Sequence, residues 1–137
     1  MTKVSWSKAK LGVRMWTDNE QSITKIPLVL RGLDFFPLTQ TGTSLFTAAT
    51  IIINPPATIY IIFDAGKEIT AEKLEQQYWS DINLENDPNY RFEAGHTNNI
   101  KVFSKKIYTE LIRLEQLEGI FGVAIDEGKV RQHTFVV

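Results

Sequence analysis

Asp81, Asn83, Glu85 and Asp87 place an oxygen-bearing side chain at every second position of one short polar stretch. Alternating oxygen donors of this kind are what a hard cation such as calcium takes from a loop. The match to a helix-loop-helix calcium site is incomplete. The sixth position is Asn86, where the sharp turn needs Gly, and the twelfth is Phe92, where a bidentate Glu belongs. The four residues are weak metal candidates, a solvated acidic loop is the plainer reading, and no metal is assigned.

Other chemistry finds less support. The two histidines, His96 and His133, stand far apart with no Gly-x-Ser-x-Gly elbow beside either, so nucleophilic catalysis has no framework and both are read as solvated or packed. There is no cysteine to serve as nucleophile, disulfide partner or zinc ligand. None of the eight glycines belongs to a phosphate-cradling motif, so no nucleotide cofactor is implied. Asp18 and Asp64 would be a carboxylate pair for acid and base work only if the fold brought them together. The chain is therefore read as non-catalytic and without a cofactor.

Binding is better served by the aromatic residues. Of Trp6, Trp16, Trp79, Tyr78 and Tyr90, the adjacent Tyr78 and Trp79 end a helix-like segment just before a polar stretch, Asn83 to Asn89. That position is expected to expose them as a platform for a sugar ring or a protein partner. The Lys105-Lys106 pair beside Phe103 and Tyr108 reads as a solvated strand face. With 15 Lys and Arg against 16 Asp and Glu, the net charge of -1 gives no field to draw the chain onto nucleic acid. Met1 to Lys10 leads into no apolar run long enough for a leader core or a membrane span. A cytoplasmic or other intracellular assembly is expected, with a secreted protein trimmed of its leader as the alternative, and no membrane partner.

These residues need a scaffold, and the pattern of the chain predicts strands. At 137 residues with 43% hydrophobic side chains, the chain suits one domain with one core. Thr43 to Ile53 and Ala57 to Phe63 are dense in β-branched residues and are separated by Asn54-Pro55-Pro56. They read as two strands joined by a turn, because adjacent prolines cannot donate to a central ladder. The run Ile59 to Phe63 predicts a strand buried on both faces. Ile100 to Tyr108, Leu111 to Leu117, Ile120 to Ile125 and Val130 to Val137 recur at the spacing of a sandwich, the last as an edge strand. Gly12 to Asp18 and Ile23 to Phe36 suit shorter, bent strands. One helix is predicted from an N-cap at Thr70, with Ile69 and Leu74 as its hydrophobic staple and an end near Trp79 or Asp81. The class is all-β with one short helix over residues 1 to 137.

Three stretches, taken in order, resemble a known pattern: Trp16-Thr17-Asp18-Asn19, Ile23 to Leu33 with its Ile26-Pro27 and Gly32-Leu33, and Ala57 to Asp64. They are similar to the galactose-binding-like jelly-roll modules appended to bacterial polysaccharide-degrading enzymes. Trp79 and Val102 to Ile107 resemble later parts of the same pattern, and the resemblance covers roughly residues 10 to 125. It implies a jelly-roll β-sandwich and makes Trp79, Tyr78, Trp16, Asp18 and Asp64 the candidate binding residues. Asn19 stands where such modules have Arg, and no Arg follows Asp64. Losing those guanidiniums removes planar donors suited to sugar hydroxyls and carboxylates. The expectation is a binding module that docks into a protein assembly, with carbohydrate binding as the alternative.

Overall fold

The computed structural model describes residues 3–40, 48–82, 91–115, 117–128 and 133–136. In chain order the strands are β1 (Ser7–Lys8), β2 (Ile23–Lys25), β3 (Asp34–Pro37), β4 (Ala48–Ile52), β5 (Ala57–Asp64), β6 (Ser80–Asp81), β7 (Glu93–Ala94), β8 (Ile100–Ile107), β9 (Leu111–Glu115), β10 (Ile120–Asp126) and β11 (Thr134–Val136). The helix α1 (Glu68–Gln76) lies between β5 and β6. A six-stranded antiparallel sheet has the order β1-β3-β10-β5-β8-β6, a three-stranded sheet the order β11-β4-β9, and a ribbon pairs β2 with β7. The fold is an all-β sandwich with one short helix.

β5 explains the continuous apolar run. It pairs with β10 on one side and β8 on the other, and both of its faces are covered. Ile59, Ile61 and Phe63 point into a core shared with Phe36, Phe103, Val123 and Ile125 of their own sheet and Ile51, Leu114 and Phe135 of the three-stranded sheet. Tyr60 and Ile62 point the other way, into a second core with Trp16, Ile23, Ile26, Leu30, Phe92 and Ala94. The N-terminal segment and the β2–β7 ribbon thus form a third layer over the large sheet. Close approach within this stack depends on Gly122, where a Cβ would lie 2.4 Å from the Phe35 ring.

The two Thr/Ile-rich strands do follow one another, but β4 lies in the small sheet and β5 in the large one. The Asn54 to Pro56 turn carries the chain across, with a cis peptide bond between its prolines. β11 lies at the edge of its sheet as expected. Residues 43–47 of the Thr43 to Ile53 expectation and residues 130–132 and 137 of the expected last strand lie outside the described residues.

The helix departs from expectation at both ends. It starts at Glu68, because Asp64 organises the preceding turn: its Oδ1 accepts from Gly66 N at 2.8 Å and its carbonyl accepts from Lys67 N at 3.0 Å. Thr70 is not the cap; it is buried within the first turn and its hydroxyl donates to the Glu118 carbonyl. Ile69 is 73% exposed, so no staple forms with the buried Leu74. At the other end, Trp79 N donates to Leu74 O and Tyr78 N to Glu75 O, each at 3.0 Å. This is a Schellman closure with Trp79 packing back on Leu74 in the main core. The residue in the left-handed conformation is Tyr78, at φ 67, where Gly is usual.

Candidate functional site

The ends of β5 and β3 and the start of β8 and β10 gather at one end of the large sheet, together with the 95–99 loop. There a cleft of about 260 Å³ opens between the sheet and the overlying ribbon, lined by Ala65, Asp81, Arg91, Glu93, Asn98, Asn99 and Lys101 with Phe92 and Ile100 at its base. Phe92 and Ile100 are buried core residues, so the floor is apolar and the rim polar. Asp81 is brought over β8 by the β6 pairing, in register with Phe103, and its Oδ2 lies 3.7 Å from Lys101 Nζ. Glu93 faces Lys25 across the ribbon, with Oε2 3.8 Å from Nζ. Asn98, Asn99 and Arg91 are exposed. A second concavity of about 340 Å³, lined by Leu11, Thr24, Lys25, Ile26, Leu28, Arg31 and Arg91, shares Arg91 with the first.

A network of side-chain amides holds the loops beside the cleft. Gln40 Oε1 accepts from Asn19 Nδ2 at 2.7 Å and from Gln21 Nε2 at 3.1 Å, while Gln40 Nε2 donates to Thr97 Oγ1 at 3.0 Å. Asp18 Oδ1 accepts from Gln40 N at 2.9 Å. Gly95, at φ 55, lets Gln21 pass: a Cβ there would lie 2.3 Å from Gln21 Oε1. These bonds fix the loop whose next residues, Asn98 and Asn99, reach the cleft. Asn19 is a working part of this scaffold.

The candidates read from the sequence are not brought together. Trp79 is 5% exposed and belongs to the main core, with Lys105 Nζ 5.8 Å above its ring, so it is no surface platform. Its placement follows from the helix closure, which turns it inward while leaving Tyr78 85% exposed. Trp16 is fully buried, edge-on to Phe121 at 5.2 Å, and its indole N–H has no hydrogen-bond partner among the described residues, for which the structure offers no account. Asp18 and Asp64 each hold a loop, the first through Gln40 and the second through Gly66. Of the weak metal candidates, Asp81 faces Lys101, and Asn83, Glu85 and Asp87 lie outside the described residues, as does Tyr90. Among the described residues no group of three or more His, Cys, Asp or Glu is placed to hold a metal ion, and no helix is long and apolar enough to cross a membrane.

His96 is exposed beside the loop network, whereas His133 is the centre of a buried charge cluster at the opposite end of the sandwich. Its Nε2 lies 3.0 Å from Asp34 Oδ2, and its Nδ1 contacts Glu127 Oε1. Asp34 also meets Lys8, and Glu127 Oε2 accepts from Asn54 N at 2.6 Å. Side-chain exposure is 4% for His133, 3% for Asp34 and 1% for Glu127, and the Phe36 ring packs edge-on at 5.5 Å. The cluster clasps the C-terminal strand to β3 and β10, and it is a structural element.

Another surface groove, beside α1, holds an ion pair between Lys67 Nζ and Glu118 Oε1 at 2.9 Å. This hydrogen bond lowers the Glu118 carboxyl below its ordinary value and raises the Lys67 ammonium. Both side chains are solvated, so the pair adds little.

Fold and site together define an antiparallel β-sandwich with a polar cleft at one loop end. No protein-family model and no curated protein matches the chain. A solved structure described as a GH138 enzyme targeting pectin rhamnogalacturonan II shares the fold, with a TM-score of 0.67 and 13% sequence identity over 96% of this chain. The matched part is 16% of that enzyme's length, so the chain corresponds to a small portion of it. At this identity the likeness concerns the fold alone.

Proposed function

We propose that this domain is a non-catalytic binding module of the galactose-binding-like jelly-roll type that holds a saccharide in the cleft between β6, β7, β8 and the 95–99 loop. The observation that carries this reading is the cleft itself: Asn98, Asn99 and Arg91 stand around an apolar floor, in a concavity whose loops are held by the Gln40 network. Saccharides present hydroxyls at the ring edge and C–H groups on the ring face, and such a lining offers partners to both. Its two carboxylates, Asp81 and Glu93, each face a lysine, which suits groups that shape a site better than a free proton donor. The similarity to part of a pectin-targeting enzyme directs the choice of probe. Affinity electrophoresis in gels containing pectin tests the reading. Retardation of the wild type, reduced in Asn99→Ala and retained in Lys106→Ala at the far end, supports it; unretarded migration across plant polysaccharides refutes it.

Docking into a protein assembly is the second reading. The burial of Trp79 removes the aromatic anchor expected for the sugar and the docking reading alike, and for docking the exposed Leu11, Leu28 and Val29, at 53, 63 and 40% exposure, are the apolar alternative. A Val29→Glu variant that retains polysaccharide binding yet loses a co-purifying protein would favour that role.

A further inference from the structure

We propose that the cleft and the concavity next to it form one groove for an acidic oligosaccharide, with Arg91 and Arg31 receiving carboxylates of successive sugar residues. The inference rests on the saccharide reading above and adds the ligand's charge. The two concavities share Arg91, and the Lys25–Glu93 register of the ribbon sets them side by side. At about 260 and 340 Å³ each is near the lower limit of small-ligand sites, roughly 300–1,000 Å³, so each suits a single ring. The lining carries Lys25, Arg31, Arg91 and Lys101 against Asp81 and Glu93. Both carboxylates are already matched, to Lys101 and to Lys25. Arg31 and Arg91 have no carboxylate partner among the described residues. A local positive excess in a chain of net charge -1 calls for an anionic ligand.

The nature of that ligand follows from the donors. A guanidinium offers a planar fork that matches a carboxylate, and exposed Leu11 and Leu28 offer apolar contact to a ring face in the second concavity. Two arginines are too few for a nucleic-acid backbone, whose binding rests on many phosphate contacts.

Calorimetric titration of the full chain with a short oligogalacturonate, and with the same oligosaccharide reduced at its carboxyls to primary alcohols, tests the proposal. The acidic form is expected to bind roughly tenfold tighter or more, the equivalent of one charge-assisted contact. Arg91→Gln and Arg31→Gln should each diminish that preference, Arg91→Lys should restore part of it, and Lys106→Gln should leave it unchanged. Circular dichroism of each variant verifies its fold. Equal binding of the two forms by the wild type overturns the carboxylate assignment while leaving the saccharide reading in place. Binding of neither form overturns both. Equal binding of a DNA oligomer of matched charge also overturns the proposal, since it reduces the groove to a general attraction for polyanions.

Discussion

Replacing His133 with Phe keeps an aromatic ring beside Phe36 and removes both ring nitrogens from the charge cluster. Asp34, 3% exposed, keeps Lys8, and Glu127, 1% exposed, keeps the Asn54 N–H, so neither carboxylate is stripped of every partner. Taking a hydrogen-bond partner from a buried charged group costs about 1–3 kcal/mol, and with two carboxylates affected this variant lies near the upper figure. For a domain of this size that is a loss of roughly 10 °C in melting temperature, against a total stability of about 5–15 kcal/mol. Thermal unfolding followed by circular dichroism measures it. The same substitution in a Glu127→Gln background should cost clearly less, because a neutral amide is left behind where a charge was. A melting temperature unchanged by His133→Phe, or additive losses in the double variant, would refute the clasp.

The other perturbations are local. Tyr78→Gly should stabilise the domain by about 1 kcal/mol in urea denaturation, since Tyr78 holds a left-handed backbone at φ 67 with its ring in solvent. Gly122→Ala should destabilise by about 1–3 kcal/mol, because the added methyl meets the Phe35 ring and the core must shift. Burial, and then the Asp126 charge, raise the Tyr60 hydroxyl above its ordinary value. Its contribution to stability is complete below the unfolded value near ~10 and is lost as pH rises through the higher folded value. Alkaline titration at the tyrosinate absorbance should therefore show one late phase that disappears in Tyr60→Phe.

The centre of the large sheet was legible because Ile59 to Phe63 is short, apolar without alternation and rich in β-branched and aromatic residues, and a strand of that kind needs a layer on both sides. The third layer itself was not legible, since β2 and β7 are too short to show a period. Trp79 misled for a physical reason. Its neighbours in sequence are polar, but its direction is set by a helix closure through Tyr78, where the usual glycine signal is absent. His133 looked inert because its partners, Asp34 and Glu127, come from other strands and only the sheet order assembles them. The cleft was invisible for the same reason: Asp81, Arg91, Asn98 and Lys101 carry no motif, and their shared surface arises from a two-residue edge strand lying beside β8.

Saccharide binding in the cleft, as proposed, is tested most directly by locating the contact. Backbone amide NMR of the full chain, titrated with pectin-derived oligosaccharides, reads that contact residue by residue. Shifts are expected at Ala65, Asp81, residues 91–101 and the Gln40 network behind them, and at Lys25, Leu28 and Arg31 of the adjoining concavity. Shifts centred on Tyr78 or Trp6, or none at saturating saccharide, would contradict it.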